Sequence, residues 1–163
     1  MINQGVTEIN SHQYEDCIQI KTITFPSSLK IINYGTFEGC TGIKNLTLPD
    51  SLEIIQSNAF KNCINLVSIK FPSSLKIINS SCFENCIELQ DIELYENIIL
   101  IGERCFFNCT NITKITISST NTQILSEAFM NCEYLNTFSL PINIIEISAR
   151  TFKNCYLLEV IKI

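Results

Sequence analysis

The chain has no tryptophan, one histidine, five glycines and four prolines in 163 residues. A single imidazole leaves little material for general acid–base work, and no glycine-rich loop of the kind that cradles phosphate is present. Charge is scarce as well, at 17% of residues, with 11 Lys and Arg against 16 Asp and Glu for a net charge of −5. That balance excludes the basic footprint needed to hold a nucleic-acid backbone. No apolar run approaches the roughly 18 residues that cross a bilayer. Met1 to Glu8 has neither the basic start nor the apolar stretch of an export signal. The expected partner list therefore omits nucleic acid and direct membrane insertion, and no cofactor is expected. As given, the chain reads as cytoplasmic, with the cell surface as its address if it is part of a longer protein.

What is abundant is isoleucine, asparagine and cysteine, with 29, 17 and 9 residues. At 46% hydrophobic residues the chain can bury a sizeable core as a single domain over 1–163. Seven of the nine cysteines are explained by spacing rather than by redox compartment. Phe-x-x-Cys recurs at Phe37/Cys40, Phe60/Cys63, Phe83/Cys86, Phe106/Cys109, Phe129/Cys132 and Phe152/Cys155, always 23 residues apart, and Tyr14/Cys17 is an aromatic variant one step earlier. The string FPSSLKIIN at Phe25 to Asn33 returns at Phe71 to Asn79, two periods on.

The columns of this repeat assign each part of a coil. The sixth residue after each Cys (Ile23, Leu46, Ile69, Ile92, Ile115, Phe138, Ile161) and the eighth (Phe25, Leu48, Phe71, Leu94, Ile117, Leu140, Ile163) are apolar and alternate with polar neighbours, as in a half-buried strand. Pro26, Pro49, Pro72 and Pro141 end that strand. Leu29/Ile32, Leu52/Ile55 and Leu75/Ile78 predict a second short extended segment on the opposite wall. The residue before each Cys of the Phe-x-x-Cys column is Gly39 or one of Asn62, Asn85, Asn108, Asn131 and Asn154, with Asp16 in that position in the first coil. That column predicts a left-handed cap closing a single helical turn. Stacking about 4.8 Å apart makes one continuous core from coils that cannot bury their faces alone. In-register stacking also sets Lys30, Glu53 and Lys76, Glu38, Lys61 and Glu84, and Arg104, Glu127 and Arg150 side by side with alternating sign.

The composite pattern L-x-x-I-x-L-P-x-S-L-x-x-I-x-x-x-A-F-x-x-C, nearly whole from Leu66 to Cys86 and from Ile43 to Cys63, resembles the BspA-like, TpLRR-class leucine-rich repeats. The resemblance covers essentially the whole chain. It implies an α/β fold: a right-handed leucine-rich-repeat solenoid of about seven 23-residue coils, with a parallel sheet on one wall and short strand and helical-turn segments on the other. It also implies a non-enzymatic scaffold for protein–protein interaction, with adhesion to host or matrix proteins as the family-level expectation. Tyr95-Glu96-Asn97 and Ser118-Ser119-Thr120-Asn121 depart from Pro-x-Ser-Leu, so those loops are expected to bulge differently.

Candidate sites follow from what the columns leave unused. One thiol per coil is the expected use of a small buried hydrophobe. Cys82 and Cys105 lie four residues before Cys86 and Cys109, and on a helical segment the four could converge as in a Cys₄ metal site. Their column holds Thr36, Ala59, Ala128 and Thr151 elsewhere, so the fold asks there only for something small. His12 falls in a solvent-facing column, away from any thiol. Between the buried strand residues, Thr22, Thr24, Asn45, Thr47, Ser68, Lys70, Asp91, Glu93, Lys114, Thr116, Thr137 and Ser139 point outward. They read either as a broad, polar protein-binding face or as a solvated sheet surface. On the opposite wall Ile31, Ile54, Ile77 and Leu100 precede buried residues, so they form an outward apolar stripe that ends at Gln123 and Glu146. Self-association through that stripe or through the chain ends is the alternative function. Ile2 and Ile163 share one phase of the repeat with no polar cap, which leads us to expect either a section of a longer repeat protein or ends that stick.

Overall fold

The computed structural model describes residues 2–139 and 147–162. Among these, twelve short strands fall on two walls of a solenoid with a rise of one coil per 23 residues. One wall is a six-stranded parallel sheet of β1 (Glu8–Ile9), β2 (Ile31–Ile32), β4 (Ile54–Ile55), β6 (Ile77–Ile78), β8 (Leu100–Ile101) and β10 (Gln123–Ile124). The other wall holds β3 (Asn45–Thr47), β5 (Ser68–Lys70), β7 (Ile92–Leu94), β9 (Lys114–Ile117), β11 (Thr137–Ser139) and β12 (Val160–Lys162). Every ladder pairs residues 23 apart, as in Ile32 with Ile55 and Leu46 with Ile69. The sheet-and-coil expectation holds over about six turns. Part of the seventh period, including Leu140, Pro141 and Glu146, lies outside the described residues.

The core is a set of columns. Tyr14, Phe37, Phe60, Phe83, Phe106, Phe129 and Phe152 stack ring on ring, centroids 5.2–5.9 Å apart and planes within 12° of parallel. Each fully buried ring contributes about 1.5–3 kcal/mol by area alone, and offset contact with its neighbours adds about 0.5–1.5 kcal/mol. Ile32, Ile55, Ile78, Ile101 and Ile124 close the core from the second wall with no exposure.

No helix occurs among the described residues, which corrects the expected helical turn and with it the α part of the fold class. The reason lies in where the N–H groups go. Thr36, Glu38 and Cys40 donate to carbonyls three residues back, while Gly35, Phe37 and Gly39 donate to Ser57, Ala59 and Lys61 of the next coil at 2.8–3.0 Å. Half of the donors that a helix needs are spent on stacking, so the segment becomes a run of tight turns. Two left-handed residues per coil accomplish this. One is the expected Gly/Asn column (Asn85, φ 62°), and the other is the column of His12, Gly35, Asn58, Ser81, Arg104, Glu127 and Arg150.

The divergent loops keep their coil-to-coil bond by other means. Ser51 and Ser74 donate through Oγ to Leu29 and Leu52 carbonyls at 2.6 Å, whereas Asn97 Nδ2 reaches Ser73 O at 2.9 Å and Thr122 Oγ1 reaches Ile98 O at 2.9 Å.

The wall carrying β3 to β12 is interrupted. β3 pairs only with β5, and β7, β9, β11 and β12 form a separate sheet. Residues 22–24 form no strand. Both breaks follow a coil whose eighth position is Phe, not Leu or Ile. Phe25 meets Phe37 edge-on at 6.0 Å and 85°, and Phe71 meets Phe83 at 5.7 Å and 89°.

Candidate functional site

The outward strand-side positions lie where alternation predicts. Thr22, Thr24, Asn45, Thr47, Ser68, Lys70, Asp91, Glu93 and Lys114 are exposed, and Thr116, Thr137 and Ser139 are half-buried. Ladder register aligns Asn45 and Thr47 with Ser68 and Lys70 and, beyond the interruption, Glu93 with Thr116 and Ser139 and Lys114 with Thr137, while Ser68 Oγ donates to Asn45 Oδ1 at 2.7 Å. Thr22 and Thr24 share the face but precede the first interruption. Rows of this kind, held by a rigid backbone and little used to stabilise the fold, can present side chains to a partner at fixed spacing.

On the opposite wall Ile31, Ile54, Ile77 and Leu100 pair directly with one another, each half-exposed, and the row is bounded by exposed Glu8 and Gln123. Lys30 and Lys76 clamp Glu53 between them beside this stripe, at 2.6 and 2.7 Å, and those two hydrogen bonds pull the Glu53 carboxyl down to about 2. The two remaining charge columns merge. Arg104 bridges Glu84 (3.1 Å) and Glu127 (3.1 Å), Lys61 approaches Glu84 at 3.4 Å, and Arg150 meets Glu127 at 3.2 Å. Burial disfavours ionisation of Glu84, but hydrogen bonds from Arg104 and Ser81 and the nearby Lys61 outweigh it and hold the carboxyl below its ordinary range. Arg104 also lies 3.7 Å above the Phe107 ring. These charges are structural ladders, consumed by stacking.

The thiols do more than fill space. Cys40, Cys63, Cys86, Cys109, Cys132 and Cys155 each donate through Sγ to the backbone carbonyl of the aromatic residue one coil back, at 3.0–3.4 Å. Burial raises them further from ionisation, with Cys40 and Cys155 pushed up to about 11. All nine are free, and no group of three or more metal-ligating side chains is gathered among the described residues, so Cys82, Cys86, Cys105 and Cys109 do not converge. The Asn column likewise carries side-chain bonds, as Asn85 Nδ2 donates to Asn62 Oδ1 and Asn108 Nδ2 to Asn85 Oδ1, both at 2.9 Å. His12 is exposed and 2.8 Å from Glu15, remote from the core thiols.

Sequence reasoning missed the cleft that opens where β5 and β7 fail to pair. It has a volume of about 520 Å³, and its lining includes Val67, Ile69, Gln90, Asp91, Thr113 and Tyr134. Ile69 is half-buried there although Leu46, Ile92, Ile115 and Phe138 of the same column are buried. The signal available in the sequence was the choice of Phe at the eighth position.

No helix among the described residues is long and apolar enough to cross a membrane. The model of the BspA type leucine rich repeat region matches in 6 copies over residues 1–93 and 53–163. The search of curated proteins finds no match. Among solved structures, the leucine-rich repeat protein TpLRR of T. pallidum superposes with a TM-score of 0.83 at 26% identity, covering 98% of this chain and 74% of its own. A leucine-rich cell surface protein of Faecalibacterium prausnitzii (TM-score 0.84, 23% identity, 96% of this chain) and a leucine-rich repeat protein of Eubacterium ventriosum (0.86, 23%, 94%) share the fold. The chain spans 42% and 41% of those two proteins. Repeat period, core columns and the family match over its whole length agree: this chain belongs to the BspA type leucine-rich repeat family, a class of non-enzymatic repeat scaffolds that generally serve as protein-interaction modules.

Proposed function

We propose that the chain is a recognition module that binds a protein partner through its strand-side face, in the manner of an adhesin repeat. The observation that carries this reading is the pair of outward rows from Asn45 and Thr47 to Thr137 and Ser139, which are presented in register within each of the two sheets of this wall yet contribute little to the core. Their polar, small side chains suit a broad contact, not one built on a few aromatic anchors. A cell-surface setting within a longer protein fits this use, and the F. prausnitzii relative is described as a cell surface protein. The test is capture of a partner by the immobilised chain and by two variants. Thr47→Arg with Thr116→Arg crowds the strand face and abolishes capture, whereas Ile54→Thr with Ile77→Thr on the other wall leaves it intact. The reverse pattern would move the binding face to the stripe.

A second reading, self-assembly, rests on the half-exposed Ile31, Ile54, Ile77 and Leu100 together with Ile99, which is 50% exposed beside them. Light scattering at rising concentration discriminates: assembly through the stripe grows with concentration and disappears in the Ile54→Thr, Ile77→Thr variant.

A further inference from the structure

The interrupted wall leaves a set of groups that the fold does not use. In the β3–β5 ladder Ser68 N reaches Lys44 O and Leu48 N reaches Lys70 O, so Ser68 and Lys70 face β3 and the backbone of Ile69 faces the gap. Across it Leu94 O accepts Ser118 N, so Ile92 and Leu94 face β9 and the backbone of Glu93 faces the gap. β5 and β7 are thus adjacent in the stack with unpaired edges turned toward each other. At the N-terminal end of the gap the coils stay joined, Gln90 N donating to Val67 O at 3.0 Å, but the pattern beyond is distorted. Ser68 N and Thr137 N donate to carbonyls of the preceding coil, whereas Lys114 N donates to the Asp91 carboxylate at 3.1 Å, and Thr113 Oγ1 donates to the same oxygen at 2.7 Å. Lys114 N is thereby drawn away from the Gln90 carbonyl, the position its counterparts Ser68 N and Thr137 N use one coil back, and Gln90 lines the cleft.

The cleft has a chemical character. Val67 and Ile69 supply an apolar floor, Asp91 is the one charged side chain in its lining, and Tyr134, 53% exposed, stands at the rim. A second cleft of about 330 Å³ along the same gap adds Glu93 and Lys114, so carboxylates outnumber cations over the two together. An aliphatic stem ending in a cation matches all of these: methylenes on Ile69 and Val67, the head group between the Asp91 carboxylate, the Gln90 carbonyl and the face of Tyr134. The edges of β5 and β7, which share no ladder with each other, suit a donor and acceptor carried by an extended main chain.

We propose that the gap between β5 and β7 is a docking cleft for an extended polypeptide segment of the partner that inserts an arginine or lysine side chain against Asp91. The inference deepens the reading of the strand side as the recognition face and rests on it. It assigns the gap to the Phe at position 71: its ring, bulkier than the Leu48 and Leu94 of the same column and set edge-on to Phe83, holds the next strand out of register contact.

The experiment is a titration of the ¹⁵N-labelled chain with acetyl-Thr-Val-Arg-Val-Thr-amide, its Glu counterpart and free argininamide. The arginine peptide shifts Ile69, Gln90, Asp91 and Thr113 amides saturably. The Glu peptide binds at least about tenfold more weakly, which is the loss of one charge-assisted contact. Asp91→Asn keeps an oxygen for Lys114 N and Thr113, so the fold stands while affinity for the arginine peptide falls about tenfold. Phe71→Leu, a residue its column already accepts, closes the ladder and abolishes the shifts. Absent or unsaturable shifts, equal binding of the two peptides, or an unaffected Asp91→Asn variant would overturn the proposal. Equal affinity for argininamide would overturn its main-chain part. If the arginine peptide fails while Thr47→Arg with Thr116→Arg still abolishes partner capture, the cleft is discarded and the strand-side reading survives.

Discussion

Raising the pH above 9 under reducing conditions should unfold this protein cooperatively. Eight thiols, those of Cys40, Cys63, Cys82, Cys86, Cys105, Cys109, Cys132 and Cys155, are held above their ordinary range, chiefly by burial. In the unfolded chain they titrate near 8.5–9, while Cys40 and Cys155, the first and last of the eight, are pushed up to about 11 in the folded chain. Between these values the unfolded state gives up protons that the folded state retains, so stability present below pH 9 is lost as pH rises. Each thiol removes about 1.4 kcal/mol per pH unit, and eight together remove roughly 11 kcal/mol in the first full unit. That equals the total stability of a typical domain, about 5–15 kcal/mol, and places the transition near pH 10. The assay is urea unfolding followed by circular dichroism at half-unit steps from pH 7 to 10.5. Replacing Cys82 and Cys105 with Ala, the residue at positions 59 and 128 of their column, removes two of the eight groups and reduces the slope by about a quarter. Stability that stays flat to pH 10.5, or thiols that react with a labelling reagent at pH 7 without denaturant, would refute the burial and hydrogen bonding assigned to this ladder.

Three further outcomes follow from other columns. Ile54→Thr with Ile77→Thr should cost no more than about 1 kcal/mol for each residue, against several for Ile55→Thr with Ile78→Thr, because the first pair is half-exposed and the second has no exposure; chemical denaturation of both variants measures the difference. At Asn85, φ 62° reverses the usual preference for Ala over Gly, so Asn85→Ala should be less stable than Asn85→Gly by about 1 kcal/mol in the same assay. Glu84→Gln loses the charge shared by Arg104 and Lys61 and should flatten the acid limb of the stability curve. The wild-type carboxyl, held below its ordinary range, contributes stability above the unfolded value near 4.3 that is lost as pH falls through the lower folded one.

The parts of this fold that were legible in the sequence are those written in every coil. A column such as Phe37 to Phe152 repeats its chemistry at a fixed interval, so burial, strand phase and the pairing of Lys30, Glu53 and Lys76 can be read without coordinates. The outward direction of Ile31, Ile54, Ile77 and Leu100 follows from the burial of the residue after each. What stayed hidden depends on partners in the next coil. The Gly/Asn column signals left-handed backbone correctly, but it cannot tell whether the intervening N–H groups bond within the turn or to Ser57, Ala59 and Lys61, and that choice separates a helical turn from stacked tight turns. The thiol donors were missed because a buried Cys reads as a hydrophobe until a carbonyl is placed beside it. The cleft beside Ile69 was missed because Phe71 and Leu94 satisfy the same pattern, and the edge-on packing of Phe71 on Phe83 shows only in coordinates.

The central claim, that the strand-side wall is the recognition face, is tested most directly by lysine labelling of the chain in complex with its captured partner. Lys70 and Lys114 stand in the outward strand rows, and Lys30 and Lys76 flank the apolar stripe on the other wall; all four are exposed in the free chain. The account predicts that Lys70 and Lys114 lose reactivity in the complex while Lys30 and Lys76 keep theirs. Protection of Lys30 and Lys76 with Lys70 and Lys114 still fully reactive would contradict it.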